Sequence, residues 1–293
     1  MGNLKEIRTR ISSIESTEKI TSAMKLVSAA KFRRSQQAII ALRPYSNKLS
    51  EIMRSIGDAA DSVEDMPLFA QRDPEKVVII AITSNKGLCG SFNSSIVKET
   101  NRLIQDRYAK QMQEGQVQLV CLGKKGRDTL GKSYPMMHSN ETLLDKPEFA
   151  EVAAIAEDLM DKFAKKEIDR VEVVYNQFVN AATQRVTVEQ FLPVAPQQKA
   201  EGQSRMKNDF IFEPSKEELF KTLTPRILKL QLFKMLIDSI ASEHGARMTS
   251  MSKATDNANE MLKELRLKYN NARQSSITNE LIEIVSGADA LNN

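Results

Sequence analysis

Two stretches of this chain lack both of the residues that most readily interrupt a helix. Asn3 to Arg43 contains no Gly and no Pro over 41 residues, and Ala246 to Ser286 contains none over another 41. In a helix interior Gly costs about 1 kcal/mol and Pro about 3 kcal/mol relative to Ala, so their absence over such lengths is a strong helical signal. At about 1.5 Å rise per residue, each stretch would extend about 60 Å as one helix, several times an ordinary globular helix. A chain with such segments at both ends points to a shaft, a tether or a scaffold.

The apolar spacing refines this. Leu4, Ile7, Ile11 and Ile14 are spaced 3-4-3, the a/d seam of a coiled coil. The seam then shifts to Ile20, Met24 and Val27, a stutter that locally alters the supercoil. Leu42, Tyr45, Leu49, Ile52 and Ile56 form a second run, with Pro44 expected to bend the rod or remove one backbone bond and Gly57 to end it. In the last rod the seam reads His244, Met248, Met251, Thr255, Ala258, Leu262, Leu265, Tyr269 and Ala272, then shifts to Ile277, Leu281 and Ile284. Many of these residues are small or polar, whereas a permanent two-stranded coil favours Ile and Leu. Pro214 and Lys216 mark a helix start, and Pro225 and Gly245 are interior weak points.

Between the rods the period changes. Lys76 to Thr83 is β-branched and nearly all apolar, a buried strand. Ser91 to Gln113 reads as a helix, Val117 to Leu122 as a strand, and Phe149 to Lys166 as an amphipathic helix. Val171 to Phe178 and Arg185 to Leu192 alternate like strands, Gln197 to Ser204 is a polar loop, and Phe210 to Phe212 is a short last strand. This order predicts a small α/β domain with parallel strands. The expected fold class is α/β with long helices: an antiparallel coiled coil of the N- and C-terminal helices plus an inserted Rossmann-like α/β domain. The expected segments are 1–57, 74–213 and 216–287.

At 293 residues, with 41% apolar and 27% charged residues, the chain can bury a core. Its 13 Met are adaptable filler for helix contacts. The net charge of +4 is unevenly spread. The first rod holds nine basic residues (Lys5, Arg8, Arg10, Lys19, Lys25, Lys31, Arg33, Arg34, Arg43) against Glu6, Glu15 and Glu18, which is +6 and leaves −2 for the rest. That rod presents either a solvated face or a surface for an acidic protein, nucleic acid or lipid. Cys89 and Cys121 make no disulfide framework and are expected as reduced thiols in a cytosolic compartment. His138 and His244 are far apart and nothing has zinc-ligand spacing, so no metal is expected. No apolar run reaches 18 residues. The opening MGNLKEIRTR is too charged for a signal peptide, and Glu6 breaks the myristoylation pattern.

Gly126-Arg-Asp-Thr-Leu-Gly131-Lys132-Ser133 fits GxxxxGK[ST], the phosphate-binding loop. That mechanism needs a strand ending at the first Gly and a helix opening at the Lys. Here Leu122 ends the strand too early, Arg127 to Leu130 reads as helix, and Pro135 disfavours helix at Tyr134. Ser84-Asn-Lys-Gly-Leu-Cys-Gly90 follows the first strand, where α/β sheets often carry ligands. A reactive Cys89 and a tight glycine turn are both readings of it, and the turn is favoured because no His is near in sequence. No nucleophile–His–acid arrangement and no paired acid/base carboxylates stand out, so an enzyme is not expected. The first rod offers only Phe32 and Tyr45 for base stacking, which disfavours nucleic acid. A nucleotide hydrolase with helical arms and a nucleic-acid-binding coil remain alternatives to a shaft.

One family accounts for these landmarks together. Ile277-Thr-Asn-Glu-Leu-Ile-Glu-Ile-Val-Ser-Gly-Ala288 resembles the signature of the gamma subunit of F-type ATP synthases, and Thr17-Glu-Lys-Ile-Thr-Ser-Ala-Met24-Lys-Leu-Val-Ser-Ala-Ala-Lys31 resembles that family's opening helix. Lys86 to Gly90, Gly123 to Gly126, Arg247-Met248, Ala254 to Asn257 and Tyr269 to Gln274 are also similar, in family order along the whole chain. The departures are small: Leu26 and Ser28 stand where many members have Met and Ala, and the plant-type insert with its cysteine pair is absent.

The resemblance implies the central rotor shaft of the rotary motor, coupling proton-driven c-ring rotation to ATP synthesis. Residues 1–57 and 216–287 would be its shaft helices and 74–213 its globular foot. The chain would be a non-catalytic subunit without a cofactor, involved in regulating ATPase activity and proton flow. Its partners would be the alpha and beta subunits of the catalytic head, the epsilon subunit and the c-ring, with no nucleic acid. It would touch the membrane only through the complex, as a peripheral protein at the cytoplasmic face of a bacterial inner membrane. Carried over by position, Met24, Lys31, Arg33, Arg34, Arg273, Gln274, Thr278 and Glu280 would contact the head, and Phe212 and Glu213 the c-ring side of the foot.

Overall fold

A computed structural model describes residues 2–57, 67–181, 183–194 and 216–291. The expected strand at 210–212, the loop at 197–204, and the expected roles of Phe212, Glu213 and Pro214 lie outside the described residues. In chain order the elements are α1 (Gly2–Gly57), β1 (Val77–Ile82), α2 (Phe92–Arg107), α3 (Ala109–Gln113), β2 (Val117–Leu122), α4 (Lys124–Leu130), β3 (Met136–Asn140), α5 (Thr142–Asp145), α6 (Phe149–Ala164), β4 (Arg170–Phe178), β5 (Gln184–Leu192) and α7 (Lys216–Leu291). Both terminal helices outrun their Gly/Pro-free stretches. α1 has 56 residues and continues through Pro44, while α7 has 76 and continues through Pro225 and Gly245. Burial explains the continuity: Ile39 and Leu49 flank Pro44, and Leu228, Leu230 and Leu232 follow Pro225 as core residues. Fully burying a Leu or Ile side chain is worth about 1.5–3 kcal/mol, enough to offset one lost helix bond.

The chain divides into two compact units, Ala30–Ala246 and the pair Met1–Ala29 with Arg247–Asn293. The larger unit is built on a five-stranded sheet of order β3-β2-β1-β4-β5. β1, β2, β3 and β4 are parallel, and β5 runs antiparallel to β4. The central strand β1 is buried along its whole length, as a parallel strand covered on both faces must be. Val78, Ile80, Ile82, Val171, Val173 and Tyr175 pack with Val152, Leu159, Phe163, Leu232 and Leu236 of α6 and α7. Val77, Ile79, Ala81, Leu119 and Cys121 face Ile96, Leu103, Ile104 and Tyr108 on the other side.

Three differences from the sequence expectation have physical causes. The stretch expected as one helix from 91 to 113 breaks at Tyr108, whose φ of −127° lies outside the helical region. There the buried Tyr108 hydroxyl donates to Glu172 Oε1, a carboxylate inside the sheet layer, with Arg107 Nη1 at 3.5 Å from the same oxygen. The edge strand β3 was not expected, because Met-Met-His-Ser-Asn has neither alternation nor a β-branched residue. The sheet is not wholly parallel, because a tight turn joins β4 to β5. In that turn Asn180 and Thr183 exchange backbone bonds at 3.2 and 3.3 Å.

In the smaller unit the two helices run antiparallel: Thr21 meets Thr255 and, nearer the N-terminus, Glu15 meets Arg266. The α7 seam follows the expected spacing, with Met251, Thr255, Ala258 and Leu262 buried and Leu265, Tyr269 and Ala272 half-buried. The α1 seam does not shift to Ile20 and Val27, which are 60% and 59% exposed. It continues through Thr21, Met24 and Ser28, with Thr21 and Ser28 buried. Those hydroxyls tolerate burial because each finds a carbonyl one turn back, Thr21 to Glu18 at 3.0 Å and Ser28 to Met24 at 2.7 Å.

Candidate functional site

Four of the eight residues expected to contact the head lie near the C-terminal end of α7. Arg273, Gln274, Thr278 and Glu280 are all exposed. They are ordered locally along one helix: Thr278 donates to the Gln274 carbonyl at 2.9 Å, and Ser276 donates to Glu280 Oε1 at 3.3 Å. Carried down to Leu4, the antiparallel register reaches Ala272 and Ser276, the last half-buried positions of α7. Residues 277–287 are all exposed. Ile277, Leu281 and Ile284 among them were expected as a shifted seam, and together with Ile282 and Val285 they are instead 49–67% exposed. Among the described residues, α1 offers these side chains no partner. An unpartnered apolar strip of this kind, set among polar side chains, is what a docking surface requires.

Met24 lies on the coil seam, half-buried, and its carbonyl accepts the Ser28 bond. Lys31, Arg33 and Arg34 are exposed on α1 and belong to the larger unit, so they do not share a unit with Met24. They can meet an anionic surface through water at strengths that salt reduces. In the smaller unit, Glu15, Glu18, Lys19, Asn259, Lys263 and Arg266 line an open polar groove with Leu262, bridged by the Glu15–Arg266 pair at 2.7 Å.

The phosphate-loop match is occupied by the chain's own hydrogen bonds. In the GxxxxGK[ST] match, Gly126 lies inside α4, and Gly131 and Lys132 follow its C-terminal end. The amides at the start of α4 are already bonded to the segment that follows β1: Lys124 N–H to Asn85 Oδ1 at 3.1 Å, Lys125 N–H to the Ser84 carbonyl at 3.0 Å, and Gly126 N–H to Thr83 Oγ1 at 2.8 Å. No donor set remains there for a phosphate. The C-terminal end of β4, beside the crevice where open α/β sheets hold ligands, is covered by α7 and α1. Ser242 donates to the Asn176 carbonyl at 3.0 Å, a Cβ on Gly245 would stand 3.0 Å from the Ala181 carbonyl oxygen, and the rings of Phe32 and Phe178 lie 5.6 Å apart.

The Lys86 to Gly90 segment is a tight turn. Leu88 and Gly90 take left-handed φ values of 62° and 59°, and Cys89 is buried with Phe92 and Ala246 while accepting from Asn93 Nδ2 at 3.3 Å. Burial pushes the Cys121 thiol up to about 12, which leaves it protonated and unreactive at neutral pH. Among the described residues no group of His, Cys, Asp and Glu could hold a metal ion, and no helix is long and apolar enough to cross a membrane.

Comparison with known proteins agrees along the whole chain. The family model described as ATP synthase matches residues 3–291. An ATP synthase gamma chain from Flavobacterium johnsoniae is 51% identical over 292 residues, covering 100% of both chains. One from Flavobacterium psychrophilum is 52% identical over 291 residues, covering 99% of each. Among solved structures, the central stalk and c-ring of the Tetrahymena thermophila mitochondrial ATP synthase includes a chain with a TM-score of 0.59 at 25% identity, covering 80% of this chain and 99% of that one. A chain of the Euglena gracilis mitochondrial enzyme shares the fold at a TM-score of 0.67 and 19% identity, covering 99% and 95%. With long terminal helices paired antiparallel, a mixed sheet between them in sequence, and this full-length similarity, the chain belongs to the ATP synthase gamma-chain family.

Proposed function

We propose that the chain is the central rotor shaft of an F-type ATP synthase. Proton flow turns the c-ring, the shaft turns with it, and its asymmetric surface carries the catalytic beta subunits through open, loose and tight states. The chain is non-catalytic on this reading and contributes to the control of ATPase activity and proton flow. Residues 1–57 and 216–287 serve as the shaft, and 74–213 as the foot that meets the epsilon subunit and the c-ring. The head residues are Met24, Lys31, Arg33, Arg34, Arg273, Gln274, Thr278 and Glu280, and the foot residues are Phe212 and Glu213. The protein is peripheral at the cytoplasmic face of a bacterial inner membrane, held there by the complex.

The observation that carries this reading is the exposed apolar strip at residues 277–285 of α7, in a chain whose relatives are gamma chains over their full length. A surface that turns inside a bearing should grip weakly. Small and polar seam residues such as Ala258, Ala272 and Ser276 keep the helix pair slim, and single exposed charges contribute only about 0–1 kcal/mol each. Reconstitution tests the reading: the full chain mixed with alpha and beta subunits should assemble and stimulate ATP hydrolysis. Failure to assemble with them would contradict it.

A further inference from the structure

Asp238 is a carboxylate with a relative exposure of only 6%, on the face of α7 that packs into the core of the larger unit. The charged and titratable groups facing it come from four elements: Lys234 one turn back on α7, Arg43 on α1, Glu189 on β5, and Tyr175 on β4 through Glu189. Tyr175 donates its hydroxyl proton to Glu189 Oε1 at 2.9 Å, which fixes that second carboxylate in place. Arg43 and Lys234 line one small cavity together with Ile39, Leu42, Ser46 and Ile237, so the two cations sit where α1 meets α7. The buried Asp238 thus follows directly on Ile237 of that cavity wall, within the fields of the two cations and of Glu189 on the edge strand.

We propose that this cluster is an acid-responsive brace, in which proton uptake by Asp238 stabilises the packing of α7 against β4 and β5. Burial chiefly, and Glu189 in addition, push Asp238 up to about 6, while Lys234 and Arg43 pull the other way. The sign follows from linkage. A carboxyl whose folded value lies above its hydrated value holds its proton more tightly when buried. Below the hydrated value the burial is neutral in this respect. As pH rises through about 6 the buried carboxylate ionises, and any opening that hydrates it becomes easier. Between pH 5 and pH 8 the opening constant should rise roughly tenfold for a shift from 3.8 to about 6. Such a brace would let the contact between α1 and α7 respond to acidification of the medium near neutrality.

The test uses the full chain. Amide hydrogen exchange over residues 234–241, corrected for the intrinsic pH dependence, is followed from pH 5 to pH 8, and the Asp238 carboxyl is titrated by carbon-13 NMR. The expected result is a midpoint near 6 with protection falling roughly tenfold as pH rises, and pH-independent, higher protection in Asp238→Asn. Glu189→Gln should lower the midpoint and Arg43→Gln should raise it, without deleting the buried group. A midpoint near 4, pH-independent protection in the unaltered chain, or an undiminished pH response in Asp238→Asn would overturn the proposal.

Discussion

Thr255 donates its hydroxyl proton to Thr21 Oγ1 at 2.8 Å, and Thr21 passes its own to the Glu18 carbonyl at 3.0 Å. Both threonines are buried, so a chain of two hydrogen bonds crosses the seam between α1 and α7. A buried polar pair that bonds across a seam fixes register more than it adds stability. Thr255→Val should cost about 1 kcal/mol, because it removes one bond and leaves Thr21 Oγ1 without its donor. Thr21→Val with Thr255→Val should be nearly neutral, because both partners become apolar. Hydrogen exchange over residues 250–262 measures each term. A double replacement that costs the sum of the two single replacements would show that the pair is not coupled.

Two glycines bring α4 onto β1. A Cβ on Gly123 would lie 2.6 Å from the Thr83 carbonyl oxygen, at a φ of 114° that side chains rarely adopt. A Cβ on Gly126 would lie 2.8 Å from Thr83 Oγ1, the atom that accepts the Gly126 amide. Gly126→Ala should cost about 2 kcal/mol through overpacking, which lowers the melting temperature by about 4–8 °C for a unit of this size. Gly123→Ala should cost more, having both the contact and the φ against it. A melt within 1 °C of the unaltered chain, for either replacement, would contradict this packing account.

Nucleotide binding should be absent from the isolated chain. Lys132 is exposed beyond the C-terminal end of α4, and the amides at the other end are bonded to Thr83, Ser84 and Asn85. Isothermal titration with Mg-ATP should give no heat of binding at millimolar nucleotide, with no difference between Lys132→Ala and the parent. Saturable binding lost in Lys132→Ala would revive the hydrolase alternative.

Ile277, Leu281 and Val285 recur one turn apart on the exposed end of α7. Changing all three to Ser should alter the stability of the isolated chain by less than about 0.5 kcal/mol, as expected for surface positions. The same change should weaken assembly with alpha and beta subunits at least tenfold, read by size-exclusion chromatography across a dilution series. Unchanged assembly would remove this strip from the docking surface.

Much of this fold can be read from residue periodicity. The run Val117 to Leu122 has the bounds of β2, and the α7 seam from His244 to Ala272 follows the 3-4 spacing. What the pattern missed was decided by tertiary context. Ile20 and Val27 look like seam residues only if apolar side chains must face inward, whereas hydroxyls that bond one turn back let Thr21 and Ser28 take those places. Tyr108 breaks a helix because its hydroxyl reaches a buried carboxylate 64 residues away, a relation that no local propensity contains. The α7 residues expected to contact the head were named through family resemblance, and the exposure of their apolar neighbours became visible only in the register of α1 against α7.

Rotation of this chain inside an alpha–beta hexamer is the most direct test of the shaft assignment. A cysteine introduced on the exposed surface of the larger unit, at Lys110, can carry a bead while the hexamer is fixed to glass. Addition of ATP should produce unidirectional, stepwise rotation of the bead that stops when ATP is withdrawn. A complex that hydrolyses ATP at full rate while the bead only fluctuates about one angle would contradict the account.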